Sequence, residues 1–236
     1  MNRRISINGG LVPESDMRRW EQRRLVAVSR MLRIPKCNAR GLAEYKLSIG
    51  DEEIMRRLGR GLACGRLAAK LMIATSRGKY RLCTVEIAMR GLSASQACDG
   101  VQFLMADQSE DSRLANLAAC PDHYVFRCDG TILEVVETTG GSPFPTQMFM
   151  KLGNEEDAPI SPDVSYPIQL SGVARMADGA VMGGIRHQFK DEDDGFRVRL
   201  CVAFPAMTPS HFIKMHQLHL ACEFSNWFDH LGESLD

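Results

Sequence analysis

Between residues 15 and 33 apolar side chains recur at the spacing of a helix. Met17, Trp20, Leu25, Ala27, Val28, Met31 and Leu32 share one face, while Arg19, Arg23, Arg30 and Arg33 occupy the other, with Val26 among them. Ser15 is placed to cap this helix, Asp16 and Glu21 suit its positive end, and Pro35 stops it. A second helical pattern covers residues 51–74, with Ile54, Leu58, Leu62, Leu67, Leu71 and Met72 in phase and Asp51, Glu52 and Glu53 at its start. Gly59, Gly61 and Gly65 predict a break near Gly59–Gly61.

From residue 76 the period changes. Cys83, Val85, Ile87 and Met89 alternate with polar neighbours over residues 79–89, the signature of a strand. Ser93 and Gln96 form a capping box that opens a helix to about Asp107, and a shorter helix follows over residues 109–119. Three Asp-Gly pairs then fall between β-prone runs: Asp129–Gly130, Asp178–Gly179 and Asp194–Gly195. Each predicts a hairpin, because tight turns of this kind favour residues that tolerate positive φ. A further strand is expected at 147–152, and the Pro- and acid-rich stretch 153–167 reads as a loop. Thr208 and Pro209 announce a last long helix. Ile213, Leu220, Phe224, Trp227, Phe228 and Leu231 form its buried stripe.

The expected fold is therefore α+β, with a basic helical region over residues 1–75 and an antiparallel-sheet domain over 76–236. The order strand, two helices, six strands, long helix is similar to the helix-grip fold of the START and Bet v 1-like proteins. The likeness covers about two thirds of the chain and is one of topology, without a shared motif. It implies a curved sheet wrapped around the C-terminal helix and an apolar cavity between them. The closing segment FRVRLCVAFPAMTPSHFIKMHQLHLACEFSNWF also resembles the last strand and helix of type III secretion chaperone-like proteins.

Charge changes this picture more than composition does. The hydrophobic share of 44% is ordinary and supplies a sizeable core. The formal net charge of zero conceals two opposed halves. Residues 1–100 carry 20 basic and 9 acidic side chains, and residues 101–236 carry 9 and 20. Either the basic part meets an anionic partner, or the halves face each other within one chain or between copies of it. Eight dispersed cysteines, no export signal and no apolar run near the ~18 residues of a membrane span predict reduced thiols and a cytoplasmic protein.

The chemistry-bearing motifs are sparse. His216, His219 and Glu223 follow helical spacing on one edge of the last helix, together with His230, and could supply three metal ligands. The competing reading is a solvated flank with a His219–Glu223 pair. Cys120 and His123 have the spacing of half a zinc site, but no second half exists, and a core cysteine with a strand-edge histidine is the simpler assignment. The glycines of 59–65 lack the strand before them and the Gly-Lys-Ser/Thr ending of a phosphate loop, so no nucleotide cofactor is expected. Residues 53–59 begin like a helix-turn-helix, but Arg60 and Gly65 fall where that motif buries aliphatic side chains. Asp191–Asp194 lacks the ligand pattern of a calcium loop, and Gly91–Ser95 departs from the Gly-x-Ser-x-Gly nucleophile turn, so no catalytic residue is assigned.

These observations favour a non-catalytic binding or adaptor protein. Ile213, Leu220, Phe224 and Trp227 would face a small apolar ligand or partner segment, and the basic helices would dock to an acidic protein surface. The alternatives are a nucleic-acid-binding regulator using Arg19, Arg23, Arg30, Arg56, Arg57 and Arg66, a metal-dependent enzyme, and a secretion chaperone-like protein.

Overall fold

The computed structural model describes residues 3–35, 37–153 and 158–233. Residues 154–157 of the expected 153–167 loop lie outside the described residues. The chain opens with a hairpin, β1 (Arg3–Ile7) and β2 (Gly10–Leu11), followed by helices α1 (Glu14–Leu32), α2 (Ala39–Ile49) and α3 (Asp51–Ser76). Strand β3 (Tyr80–Arg90) leads to α4 (Ala94–Ala106) and α5 (Glu110–Ala119). Six strands follow: β4 (His123–Asp129), β5 (Ile132–Glu137), β6 (Thr146–Leu152), β7 (Ile168–Arg175), β8 (Val181–Glu192) and β9 (Gly195–Pro205). The long helix α6 (Ser210–Glu233) closes the chain. All nine strands form one antiparallel sheet in the order β2-β1-β3-β9-β8-β7-β6-β5-β4.

The local signals explain most of these elements. The alternating face of β3 buries Cys83, Val85, Ile87 and Met89. At the start of α4, Gln96 N–H donates to Ser93 Oγ at 3.1 Å and Ser93 N–H donates to Gln96 Oε1 at 2.9 Å, which completes the capping box. All three Asp-Gly pairs lie at hairpins, but none has the expected pair of positive-φ residues: Gly130 and Gly179 adopt positive φ, at 61° and 85°, while their aspartates do not, and the third pair departs further. Glu192 pairs with Gly195, so Asp193 and Asp194 make the turn, and neither has positive φ. Gly195 is required for space, since a Cβ there would stand 2.0 Å from the carbonyl oxygen of Met89.

Four local expectations need correction. Helix α1 begins one residue earlier, with Pro13 at the cap and no side-chain cap from Ser15. Thr208 does not cap α6: its hydroxyl is buried without a partner among the described residues, and the carbonyl of Pro209 accepts from Phe212 and Ile213. The glycines of α3 do not break it. A Cβ on Gly65 would lie 2.2 Å from the carbonyl oxygen of Pro145, so the missing side chain lets an unbroken helix seat closely on residues 144–145. That seating also turns the expected stripe: Ile54 and Leu58 are buried, whereas Leu67 and Leu71 are 72% and 64% exposed.

The β1–β2 hairpin and α2 have no counterpart in the expectations. Asn8 and Gly9, with φ of 52° and 78°, form the β1–β2 turn with two positive-φ residues in succession. Helix α2 is capped by Asn38, whose side chain accepts from Gly41 N–H at 2.8 Å.

The main core lies between the sheet, α4 and α6, and includes Phe196, Phe224, Trp227 and Phe228. A second core joins Leu25, Val28, Leu42 and Ile54 of the first three helices to Tyr124, Val125 and Val136 of the sheet. Part of the charge division is spent inside the chain. Arg3 pairs with Asp229 at 2.8 Å, Arg24 with Asp122 at 2.7 Å and Lys70 with Asp178 at 2.6 Å, each joining a base of the first half to an acid of the second. No helix among the described residues is long and apolar enough to cross a membrane.

Candidate functional site: an apolar cavity beside a histidine and glutamate cluster

Helices α3 and α6 and the sheet border a partly open cavity of about 290 Å³. Its wall is mostly apolar, with Met72 of α3, Met148 and Met150 of β6 and Phe126 of β4 facing Leu220 and Phe224 of α6. Methionine adapts its shape at little cost, so such a wall suits ligands of irregular outline. Of the four side chains expected to touch a ligand, Leu220 and Phe224 line the cavity. Ile213 and Trp227 are buried in the main core instead.

One part of the wall is polar. Glu137, His187, His216 and Glu223 all border the cavity, and behind them stand His123 and His219. The edge of α6 with His216, His219 and Glu223 is therefore no solvated flank: all three are buried. His230, two turns beyond Glu223, is exposed.

Two members come from the sheet. Strands β4 and β5 pair regularly from Asp129–Ile132 to Val125–Val136, and a bulge between His123 and Val125 then shifts the register by one. Glu137 consequently stands opposite His123, where an unbroken ladder would have placed Thr138. Cross-strand partners share a face of the sheet, so His123 and Glu137 converge on the polar edge of α6. His123 is thus a buried member of the cluster and not the strand-edge residue expected of it.

The contacts are close. His123 Nε2 lies 3.2 Å from His219 Nε2 and 3.4 Å from Glu223 Oε1. His219 Nε2 lies 3.6 Å from Glu137 Oε2 and 3.7 Å from Glu223 Oε2. On its other side His123 Nδ1 donates to the carbonyl oxygen of Asn116 at 2.7 Å, and Thr139 Oγ1 donates to Glu137 Oε1 at 3.1 Å. Lys46 of α2, fully buried, donates to the carbonyl oxygens of Pro121 and His123 and so fixes the start of β4. Arg24 of α1 holds the neighbouring Asp122 with both Nε and Nη2, at 2.7 to 2.9 Å.

Burial sets the protonation of these groups. It pushes the Glu137 carboxyl up to about 7, with His123 pulling the other way and Glu223 adding to the rise. It holds His216 and His187 down near 3, and His219 well below its ordinary value. For His123 burial acts downward too, but Glu223 and Glu137 outweigh it and raise the ring. Lys46 falls to about 8 through burial, opposed by Cys120 and Asp122.

The six arginines expected to meet an anionic partner are dispersed. Arg19, Arg23 and Arg30 are exposed along α1, Arg19 lying 3.5 Å from Asp16. On α3, Arg56 and Arg57 both pair with Glu53, and Arg57 also donates to the carbonyl oxygen of Leu32, while Arg66 is exposed. All eight cysteines are free thiols, five of them buried.

No protein-family model matches the chain, and no curated protein matches it. Among solved structures it is similar to the crystal structure of Ara h 8.0201, with a TM-score of 0.42 and 9% identity over 65% of this chain and 98% of that chain. At that identity and score the likeness bears on no ligand or activity.

Proposed function

We propose that this protein is a non-catalytic binding protein for a small ligand with an apolar body and a polar end. The observation that carries the reading is the cavity between α3, α6 and the sheet, whose volume of about 290 Å³ sits at the lower edge of the roughly 300–1,000 Å³ usual for small-molecule pockets. Apolar walls supply affinity through burial, and the few polar groups at one part of the wall supply orientation. Glu137, His187, His216 and Glu223 are the groups available for that second task. The exposed arginines of α1, Arg19, Arg23 and Arg30, would serve a separate contact with an acidic protein surface.

Native mass spectrometry of the protein as purified tests the first claim, with added mass of a few hundred daltons expected. Titration with the fluorescent probe anilinonaphthalene sulfonate makes the test independent of co-purification. Ala68, which lines the cavity from α3, is the position to fill. Ala68→Trp should lower probe affinity about tenfold or more, equivalent to about 1.4 kcal/mol, while the far-ultraviolet circular dichroism stays unchanged. Probe binding that Ala68→Trp leaves untouched would show that the cavity is not the site.

A further inference from the structure

The polar part of the cavity wall has an arrangement that hydrogen bonding alone does not satisfy. The carbonyl of Asn116 can only accept, so His123 carries a proton on Nδ1 and, when neutral, aims the lone pair of Nε2 into the cluster. There it meets two carboxylates and a second imidazole nitrogen. From this side His219 can offer one hydrogen and a protonated Glu137 carboxyl another, and the remaining lone pairs of His123, Glu137 and Glu223 face one another. The other nitrogen of His219, Nδ1, is buried without a hydrogen-bond partner among the described residues, as is Nδ1 of His216. Several lone pairs thus converge on one buried point.

We propose that His123, Glu137, His219 and Glu223 hold a divalent first-row transition ion, with His216 beside it at the cavity. A tetrahedral ion with bonds of roughly 2.0–2.1 Å to nitrogen and oxygen separates its ligand atoms by about 3.3 Å. Five separations among the four candidate ligands run from 3.2 Å for His123–His219 to 3.9 Å for His123–Glu137, with Glu223 facing His123 through Oε1 and His219 through Oε2. Glu137, His216 and His219 also offer ligand atoms within 4.8 Å of one another, so His216 stands beside the same cluster. Imidazole and carboxylate together suit zinc(II) or iron(II) rather than calcium or magnesium.

The surroundings are those a metal centre needs. Asn116 orients His123 from behind, and Thr139 holds the second oxygen of Glu137. Lys46 anchors the backbone of His123. Because Glu137, His216 and Glu223 also border the cavity, the ion would sit where the polar end of a cavity ligand meets the wall. The site does not depend on the identity of that ligand, or on there being one.

The test uses protein stripped with a chelator and titrated with Zn²⁺ by calorimetry, with Co²⁺ visible absorption as a report on coordination. One ion per chain is expected, with intense tetrahedral cobalt bands. Glu223→Gln, nearly isosteric, and His219→Ala should each weaken Zn²⁺ binding on the order of 100-fold. Circular dichroism verifies the fold of each variant, and Glu223→Gln keeps the test valid if His219→Ala does not fold. Absent Zn²⁺ binding, or binding that Glu223→Gln leaves unchanged, overturns the site. Uptake of anilinonaphthalene sulfonate by the stripped protein is read in parallel. Loss of the ion with retained probe binding removes the metal centre alone, and loss of probe binding removes the cavity reading alone.

Discussion

Helix α6 buries two edges equally well and for opposite physical reasons. Along one, Phe224, Trp227 and Phe228 pack edge-to-face or tilted with ring centroids 5.0 to 5.8 Å apart, and their burial stabilises the fold. Along the other, His216, His219 and Glu223 are also buried, yet Nδ1 of each histidine has given up hydration without a hydrogen-bond partner among the described residues. The same helix carries both, so neither helix propensity nor local sequence accounts for the difference. A buried polar edge that stability alone would replace with leucine points to a task beyond holding the sheet.

The sharpest way to break this comparison is to cut each edge. Trp227→Ala should destabilise the protein by about 3–5 kcal/mol in urea unfolding, since the indole is fully buried in the main core. Glu137→Gln should act with the opposite sign. It removes a carboxylate that faces Glu223 and lone pairs of His123 and His219, and leaves an amide that can donate to them. In metal-free protein its stability should rise by about 1 kcal/mol. A loss of that size instead would make the cluster a structural brace, and the contrast between the two edges would collapse.

How much of this was legible in the sequence depends on the distance over which the information had to act. The capping box at Ser93, the three Asp-Gly hairpins and the stripe of α6 are decided by residues within one turn or one strand, and the structure realises them. Asn8–Gly9 and Asn38 carried signals of the same kind, but their flanking segments are too short or too polar for periodicity to stand out. The spacing of His216, His219 and Glu223 was visible as a candidate ligand set. Their burial was not, because a histidine beside an apolar stripe has the same pattern on a solvated flank. The missing partners were further off. His123 lies 96 residues from His219, and Glu137 reaches it through a one-residue bulge that nothing in HYVFRC announces. In α3 Gly61 and Gly65 look like helix breakers for a related reason: the partner they make room for, Pro145, is remote in sequence, while a Cβ on Gly59 would meet nothing.

The smallest expected effect falls on one of two adjacent arginines of α1, whose neighbour behaves quite differently. Arg24 turns inward and binds Asp122, which is fully buried, whereas Arg23 projects from the exposed side. Arg24→Ala would strand a buried carboxylate, already pushed upward by burial and held down chiefly by that guanidinium, at about 3 kcal/mol. Arg23→Ala should change stability by less than about 0.5 kcal/mol. Its consequence belongs to binding, because a charge free of internal duties is available to a partner. Combined with Arg19→Ala and Arg30→Ala, it should shift elution from a heparin column to lower salt, with folding unchanged. An elution point that stays fixed would assign the basic side of α1 to solvation, leaving the internal pairs of Arg3, Arg24 and Lys70 as the purpose of the chain's divided charge.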